Sequence, residues 1–364
     1  MTELPASVAP LFTPFRLGPL TLPNRFVMAP MTRGFSPHGL PGRDVAEYYA
    51  RRAAAGVGLI VTEGVYIDTP SAGSADNIPR LDAATVPAWA GVVRAVHEAG
   101  GHIFAQLWHL GAVRDEGAPP FPDAPVLGPS GLALDGSPKG RAMSEGEIRD
   151  TIAAFARSAV FAREAGFDGV ELHGAHGYLI DQFFWDQTNR RSDAWGEGPR
   201  FAAEVTAAVR AAAGPDFPVM LRFSQWKGGF YDARPWPTPE ALRAALRPVV
   251  DAGITGFHVS TRRYFDPGFE GSGRTLAGHV REMFGLPVVA VGSVGLGTPY
   301  ARDPVTVVES AGIGTVPALF AAGEFDLIAL GRALLQDPRW VEKLRTGAGD
   351  DWTGYDPASQ KRLY

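Results

Sequence analysis

Eight short apolar runs, most of them followed by a helical pattern, limit this 364-residue chain more than any other feature. They occupy residues 25–31, 59–64, 102–109, 169–173, 219–224, 256–261, 287–293 and 327–332. Each is too short for a helix, rich in β-branched residues, and too continuously apolar for a strand with one wet face. Strands buried on both faces of a parallel sheet have this pattern. Helical patterns fall at 43–55, 85–99, 144–165, 199–213, 238–252 and 274–284, with two short ones between 303 and 322. Ser144 and Glu147 form a capping box. Gly100, Gly253 and Gly285 stand where C-terminal glycine stops belong. Eight strands alternating with helices predict an α/β fold, a (β/α)8 TIM barrel, ahead of an open doubly wound sheet, which usually carries fewer strands.

Two connections are too long for simple turns. Residues 111–143 carry six prolines, and residues 262–273 contain Tyr264, Phe265 and Phe269. Both follow strands, so both are expected on the barrel's C-terminal face, where the active sites of such barrels lie. The first reads as an excursion or lid at about 110–143, within one domain spanning 1–364. There is no internal repeat beyond the strand–helix period, and no linker.

Composition narrows the function classes. The formal charge is −5 with no long run of one sign, so neither nucleic acid nor an anionic membrane is an expected partner. The chain has no cysteine, which excludes disulfides, a thiol nucleophile, thiolate metal sites and iron–sulfur clusters. That fits a reducing cytoplasm, the expected location. The first residues lack the pattern of a secretory signal. No apolar stretch reaches the ~18 residues of a membrane span.

Polar residues cluster where the runs end. The fourth continues as Glu171-Leu172-His173-Gly174-Ala175-His176-Gly177-Tyr178. Along a strand His173 and Ala175 share a face. His176 joins His173 only if the chain has left the strand, which Gly174 and Gly177 are expected to allow as turn formers. Two imidazole donors and a phenol would then converge, a set suited to holding a carbonyl oxygen and delivering a proton. Other ends carry Ala29-Pro30-Met31-Thr32, Thr62-Glu63-Gly64, Gln106 with Trp108 on one face, Arg222, Gly292-Ser293 and Gly331-Arg332.

Each has a plainer reading. Gln106 can satisfy backbone groups inside a barrel, and Trp108 alone reads as core. Arg222, between Leu221 and Phe223, needs an anion or several acceptors, and an internal salt bridge would serve. The glycine-bearing ends of the last two runs fall where phosphate sites form in such barrels. The two histidines also permit a metal-dependent (β/α)8 hydrolase or lyase using His173 and His176, with His97 and His109 nearby in sequence. No compact carboxylate set joins them at that strand end, and the glycines favour a turn over a ligand-bearing helix. Together the strand ends describe a flat, polar, phosphorylated ligand, and flavin mononucleotide (FMN) fits.

In order and placement these pieces resemble the Old Yellow Enzyme family of FMN-dependent ene-reductases over nearly the whole chain. The matching segments are Leu17-Gly18, residues 22–25, 27–33, 62–64, 106–108, 173–183 and 189–193, Leu221-Arg222 and Gly331-Arg332. The resemblance implies Ala29, Pro30, Met31, Thr32 and Gly64 along the isoalloxazine ring and Gln106 at its pyrimidine edge. It implies Arg222 beside N1 and O2, where reduction concentrates negative charge. Gly292, Ser293, Gly331 and Arg332 would hold the phosphate. NADPH or NADH would be the reductant.

His173 and His176 would grip the carbonyl oxygen of an enone or enal beside Trp108. Tyr178 would give a proton to Cα while flavin N5 gives hydride to Cβ. A phenol with an ordinary pKa near ~10 is protonated at neutral pH and can act as that acid. The chain would be a monomer or homo-oligomer. It departs from many relatives in having His176 rather than asparagine, and from some bacterial ones in having Thr32 rather than cysteine. A shortened segment at 195–201 is expected to reshape the rim. Relatives with an added nucleotide-binding domain and an iron–sulfur cluster are set aside for want of cysteine.

Overall fold

The computed structural model describes residues 4, 6–299, 307–348 and 351–364. The eight runs become β1 (Phe26–Met28), β2 (Leu59–Ile67), β3 (His102–Trp108), β4 (Gly169–His176), β5 (Val219–Lys227), β6 (Gly256–Ser260), β7 (Val288–Val291) and β8 (Leu327–Leu330). Each pairs in parallel with the next, and β8 pairs with β1, with Ile328 opposite Phe26, which closes the barrel. Outside it lie α1 (Arg43–Ala54), α2 (Val86–Glu98), α3 (Glu145–Glu164), a short α4 (Leu179–Phe184), α5 (Gly198–Ala213), α6 (Pro239–Asp251), α7 (Leu276–Phe284) and α8 (Val316–Ala321). Two further helices, α9 (Arg332–Gln336) and α10 (Trp340–Thr346), follow β8. No helix among the described residues is long and apolar enough to cross a membrane.

Period two along the strands builds the interior in layers. At the N-terminal end Val27, Leu59, Val61, Phe104, Met220, Val289 and Leu327 point inward. A hairpin of Phe15–Leu17 and Leu20–Leu22, turning through Gly18 at φ 59°, seals that end with Leu17 and Leu22. Each such fully buried side chain is worth roughly 1.5–3 kcal/mol. On β3 to β6 the same inward face becomes polar further along, whereas β1, β7 and β8 continue with Ala29, Val291 and Ala329. Phe104 gives way to Gln106 and Trp108, Met220 to Arg222, and on β4 and β6 the inward positions are Glu171, His173, His258 and Ser260. The polar layer therefore lies at the C-terminal end on a dry apolar floor.

Strand ends differ from the sequence reading for identifiable reasons. β1 stops at Met28: Ala29 still donates to the Leu330 carbonyl (2.8 Å), but Pro30 has no N–H to continue the ladder. β4 and β5 run further than expected, because a register shift between Phe223 and Lys227 restores pairing of Lys227 with His176. Between 303 and 322 one helix, α8, is seen, and residues 303–306 lie outside the described residues. The Ser144–Glu147 capping box forms as read, and Gly100, Gly253 and Gly285 take positive φ of 82°, 94° and 64°.

Candidate active site

A cavity of about 400 Å³ opens where the strands end. Ala29, Pro30, Met31, Thr32, Gly64, Gln106, Trp108, His173, His176, Tyr178, Arg222, Gly292, Ser293, Gly331 and Arg332 all line it. Its size suits a cofactor-sized ligand.

The His-His-Tyr cluster forms, by a route the sequence did not show. His176 itself takes the left-handed conformation, at φ 66°, followed by Gly177 at φ 86°. A left-handed residue carrying a Cβ costs roughly 1–2 kcal/mol, so something must hold it. Ser224 Oγ accepts the His176 N–H (3.0 Å), the His176 carbonyl accepts from Gly228 (3.0 Å), and Asp181 Oδ2 accepts the Gly177 N–H (2.7 Å). Asp181 is in turn paired with Lys227 at 2.6 Å, both side chains fully buried. Burial pushes the Asp181 carboxyl up and the Lys227 ammonium down, and each partner's charge opposes that drift. Gly174 is not a turn residue. A Cβ there would come within 3.0 Å of the Arg222 carbonyl, so close strand packing demands glycine.

The three rings meet edge to face. His173 lies 5.2 Å from His176 and 4.8 Å from Tyr178 between ring centres, and Trp108 lies 4.9 Å from Tyr178. Gly64 makes room for Trp108, since a Cβ there would collide with the indole. Burial, then the Arg222 charge, pushes both imidazoles well below their ordinary pKa, so they are neutral at pH 7. Neutral imidazoles donate one hydrogen bond each without adding charge. His173 Nδ1 is buried without a partner among the described residues.

A second polar group lies next to the first. Gln106 Nε2 donates to Glu171 Oε1 (2.8 Å), and His258 Nδ1 contacts Glu171 Oε2 (2.6 Å). Burial tends to raise the Glu171 carboxyl, but His258, Arg222 and Gln106 outweigh it and hold it below its ordinary value. Burial and Arg222 keep His258 low, so it donates as a neutral ring. Arg222 forms no ion pair among the described residues, and its Nε is buried without a partner. The internal salt bridge that would have explained it structurally is thus not made. At the last two strand ends Arg332 Nη2 bonds Ser293 Oγ (2.9 Å), joining the two glycine-bearing turns, and Ser293 is left-handed at φ 55°. A Cβ on Gly292 would come within 2.6 Å of Thr261 Oγ1 and the Tyr264 nitrogen.

The other histidines point elsewhere. His109 receives the Gly111 N–H at Nδ1 (2.9 Å) and touches Ser71 through Nε2 (3.2 Å), and His97 binds Asp168 (2.8 Å). Among the described residues no three His, Asp or Glu side chains are grouped to hold a metal ion. The segment at 195–201 does not line the cavity. Trp195 is buried, under the Arg200 guanidinium at 4.6 Å, and Asn189 Nδ2 donates to its carbonyl. Leu134 from the excursion, Trp226 near the end of β5, and Gly228, Gly229 and Tyr231 beyond it form the rim instead.

Sequence reasoning missed Ser260, Trp226, Tyr231, Leu134 and Gln360 as lining residues. Ser260 was readable, because it alternates with His258 on the sixth run. Trp226 lies within the register shift between Phe223 and Lys227, which no residue pattern announces. Gln360 arrives through Arg33, the residue after Thr32. Arg33 Nη2 forks onto the carbonyls of Ser359 (3.3 Å), Gln360 (3.1 Å) and Arg362 (2.7 Å).

Comparison with known proteins agrees with this geometry. The model of the NADH:flavin oxidoreductase / NADH oxidase family matches residues 10–351. A rice protein named 12-oxophytodienoate reductase 7 is 34% identical over 365 residues, 94% of this chain and 89% of its own length. An NADH oxidase of Thermoanaerobacter brockii is 34% identical over 358 residues, and the match covers 93% of this chain but 51% of that protein. A structure of morphinone reductase in complex with tetrahydroNAD superposes with a TM-score of 0.80 at 30% identity, covering 96% of this chain and 93% of the other.

Proposed function

The chain belongs to the NADH:flavin oxidoreductase / NADH oxidase family, the Old Yellow Enzyme family, and from that premise we propose that it reduces the C=C bond of α,β-unsaturated carbonyl compounds. It is an oxidoreductase with FMN as cofactor and NADPH or NADH as reductant. One observation carries the finer reading. The two neutral imidazoles and the phenol converge in the same cavity as Arg222, Gln106 and the Ser293–Arg332 pair.

These residues fit FMN. Arg222 brings a buried cation with an unpartnered Nε, and Gly292 sits where any side chain would collide. Pro30, Met31, Thr32, Ala29 and Gly64 would line the ring, Gln106 the pyrimidine edge, Arg222 the N1–O2 side, and Gly292, Ser293, Gly331 and Arg332 the phosphate. When bound, FMN takes hydride from the nicotinamide and supplies it to the substrate's Cβ. His173 and His176 hold the carbonyl oxygen and draw electron density from the alkene. Tyr178 holds the proton that goes to Cα. Trp108 walls the substrate side, and the whole chain acts as one FMN-binding domain. The relatives' names, reductases of 12-oxophytodienoate and morphinone, support the reductase reading.

The purified protein is expected to be yellow, absorbing near ~450 nm, to bleach with NADPH and to recolour with cyclohex-2-enone. A colourless protein that takes up no FMN, or a bleached one that the enone does not recolour, would overturn the proposal.

A further inference from the structure

Ser260 ends β6, is 3% exposed, and touches both halves of the site. Its Oγ lies 2.8 Å from His176 Nε2 and 3.5 Å from Arg222 Nη2. Its carbonyl accepts the Trp226 indole N–H at 3.2 Å. That indole stacks on the His176 ring, centres 4.3 Å apart and planes 30° from parallel. Trp226 therefore fixes the plane of the imidazole, and Ser260 meets one of its edges.

A neutral imidazole carries one N–H, so it can donate from one nitrogen only, and the group on the other nitrogen decides which. A guanidinium has donors and no acceptor, so Ser260 Oγ accepts from Arg222. A hydroxyl has a single proton. Among the described residues Ser260 Oγ has no hydrogen-bond partner besides Arg222 and His176, so Nε2 is the one acceptor within reach of that proton. His176 Nδ1 makes no hydrogen bond among the described residues, and His176 lines the cavity.

We propose that Ser260 is a positioning residue: by donating to Nε2 it holds His176 as the Nδ1–H tautomer and presents that N–H to the substrate carbonyl. Arg222 orients the hydroxyl, so one directed chain of donors runs from the cofactor side, through Ser260, to the substrate side. The substrate part of this inference rests on the proposed function, whereas the tautomer stands without it.

The test is nitrogen NMR of the FMN-loaded protein with 15N-labelled histidine, the His176 signals assigned by their absence in His176→Ala. The expected wild-type spectrum has the proton on Nδ1 and an acceptor at Nε2. Ser260→Ala is expected to mix the tautomers, and to lower kcat/KM for cyclohex-2-enone about tenfold with flavin still bound, as loss of one hydrogen bond does. Ser260→Thr keeps the hydroxyl and is expected to restore both. A wild-type proton on Nε2 would overturn the proposal, as would an unchanged tautomer in Ser260→Ala. The wild-type spectrum decides the point even if the alanine variant does not fold. Absence of enone turnover in the wild type would count against the proposed function alone.

Discussion

Replacing Glu63 by glutamine is expected to stabilise the protein above neutral pH and to leave it unchanged in acid. Glu63 is 1% exposed, in the segment of β2 that packs under the exit of β1. Its Oε2 accepts the N–H groups of Arg33 (2.7 Å) and Gly34 (3.0 Å), and its Oε1 is buried without a partner among the described residues. Burial pushes the carboxyl from 4.5 up to about 7, against the pull of both amides and the Arg33 charge. Below the unfolded value the group is protonated in both states. As pH rises from the unfolded value to the folded one, the unfolded chain ionises while the native state keeps its proton, so stability is lost across that window and levels off above it.

Each pH unit between the two values is worth about 1.4 kcal/mol, so the loss reaches about 3 kcal/mol by pH 8. Glutamine copies the protonated form: its oxygen still accepts both amides and its NH2 takes the place of the unpartnered Oε1. Urea denaturation of wild type and Glu63→Gln at pH 4.5 and pH 8, with equal FMN, measures the gap at each pH. A gap that is the same at both, or a variant less stable at pH 8, would refute the reasoning.

Three further substitutions test the site. Asp181→Ala leaves the Lys227 charge buried and unpaired and should cost about 3–5 kcal/mol, while Asp181→Leu with Lys227→Met should recover most of it; additive losses in denaturation would contradict a coupled pair. Tyr178→Phe should leave flavin reduction by NADPH intact and slow enone reduction roughly 10²–10⁴-fold, the range for a lost general acid; equal slowing of both half-reactions in stopped-flow would count against the proton role. Arg332→Ala removes the bond to Ser293 and should weaken FMN binding at least about tenfold, as loss of a charge-assisted hydrogen bond does; an unchanged Kd from flavin fluorescence quenching would sink that assignment.

Residues whose signal is periodic were legible in the sequence. The barrel followed from apolar runs of strand length, and the inward face of β3 from Gln106 and Trp108 two positions apart. Arg222 was conspicuous because a guanidinium between Leu221 and Phe223 has no cheap structural explanation. Geometry that depends on distant partners was not legible. Nothing near His176 says that its backbone is left-handed, because the groups that hold it, Ser224, Gly228 and the Asp181–Lys227 pair, are supplied by another strand and by α4. Of the two glycines beside it, Gly177 turns the chain as expected, at φ 86°, whereas Gly174 answers to packing against β5. Segment 195–201 looked like a rim loop because it follows the fourth strand, yet Trp195 is drawn inward and the rim passes to Trp226 and Tyr231.

The Arg33 fork onto residues 359–362 bears on the order in which the molecule is made. Synthesis runs from β1 to β8, so a growing chain that has reached Lys227 already owns both imidazoles, the phenol and the buried pair behind them. It still lacks the Ser293–Arg332 seat, the strand that covers the open edge of β1, and the segment that Arg33 grips. All three arrive in the last third of the chain. A nascent chain of that length therefore carries the proposed substrate residues before the proposed phosphate residues, and barrel closure and the grip of Arg33 on the 359–362 segment come later still.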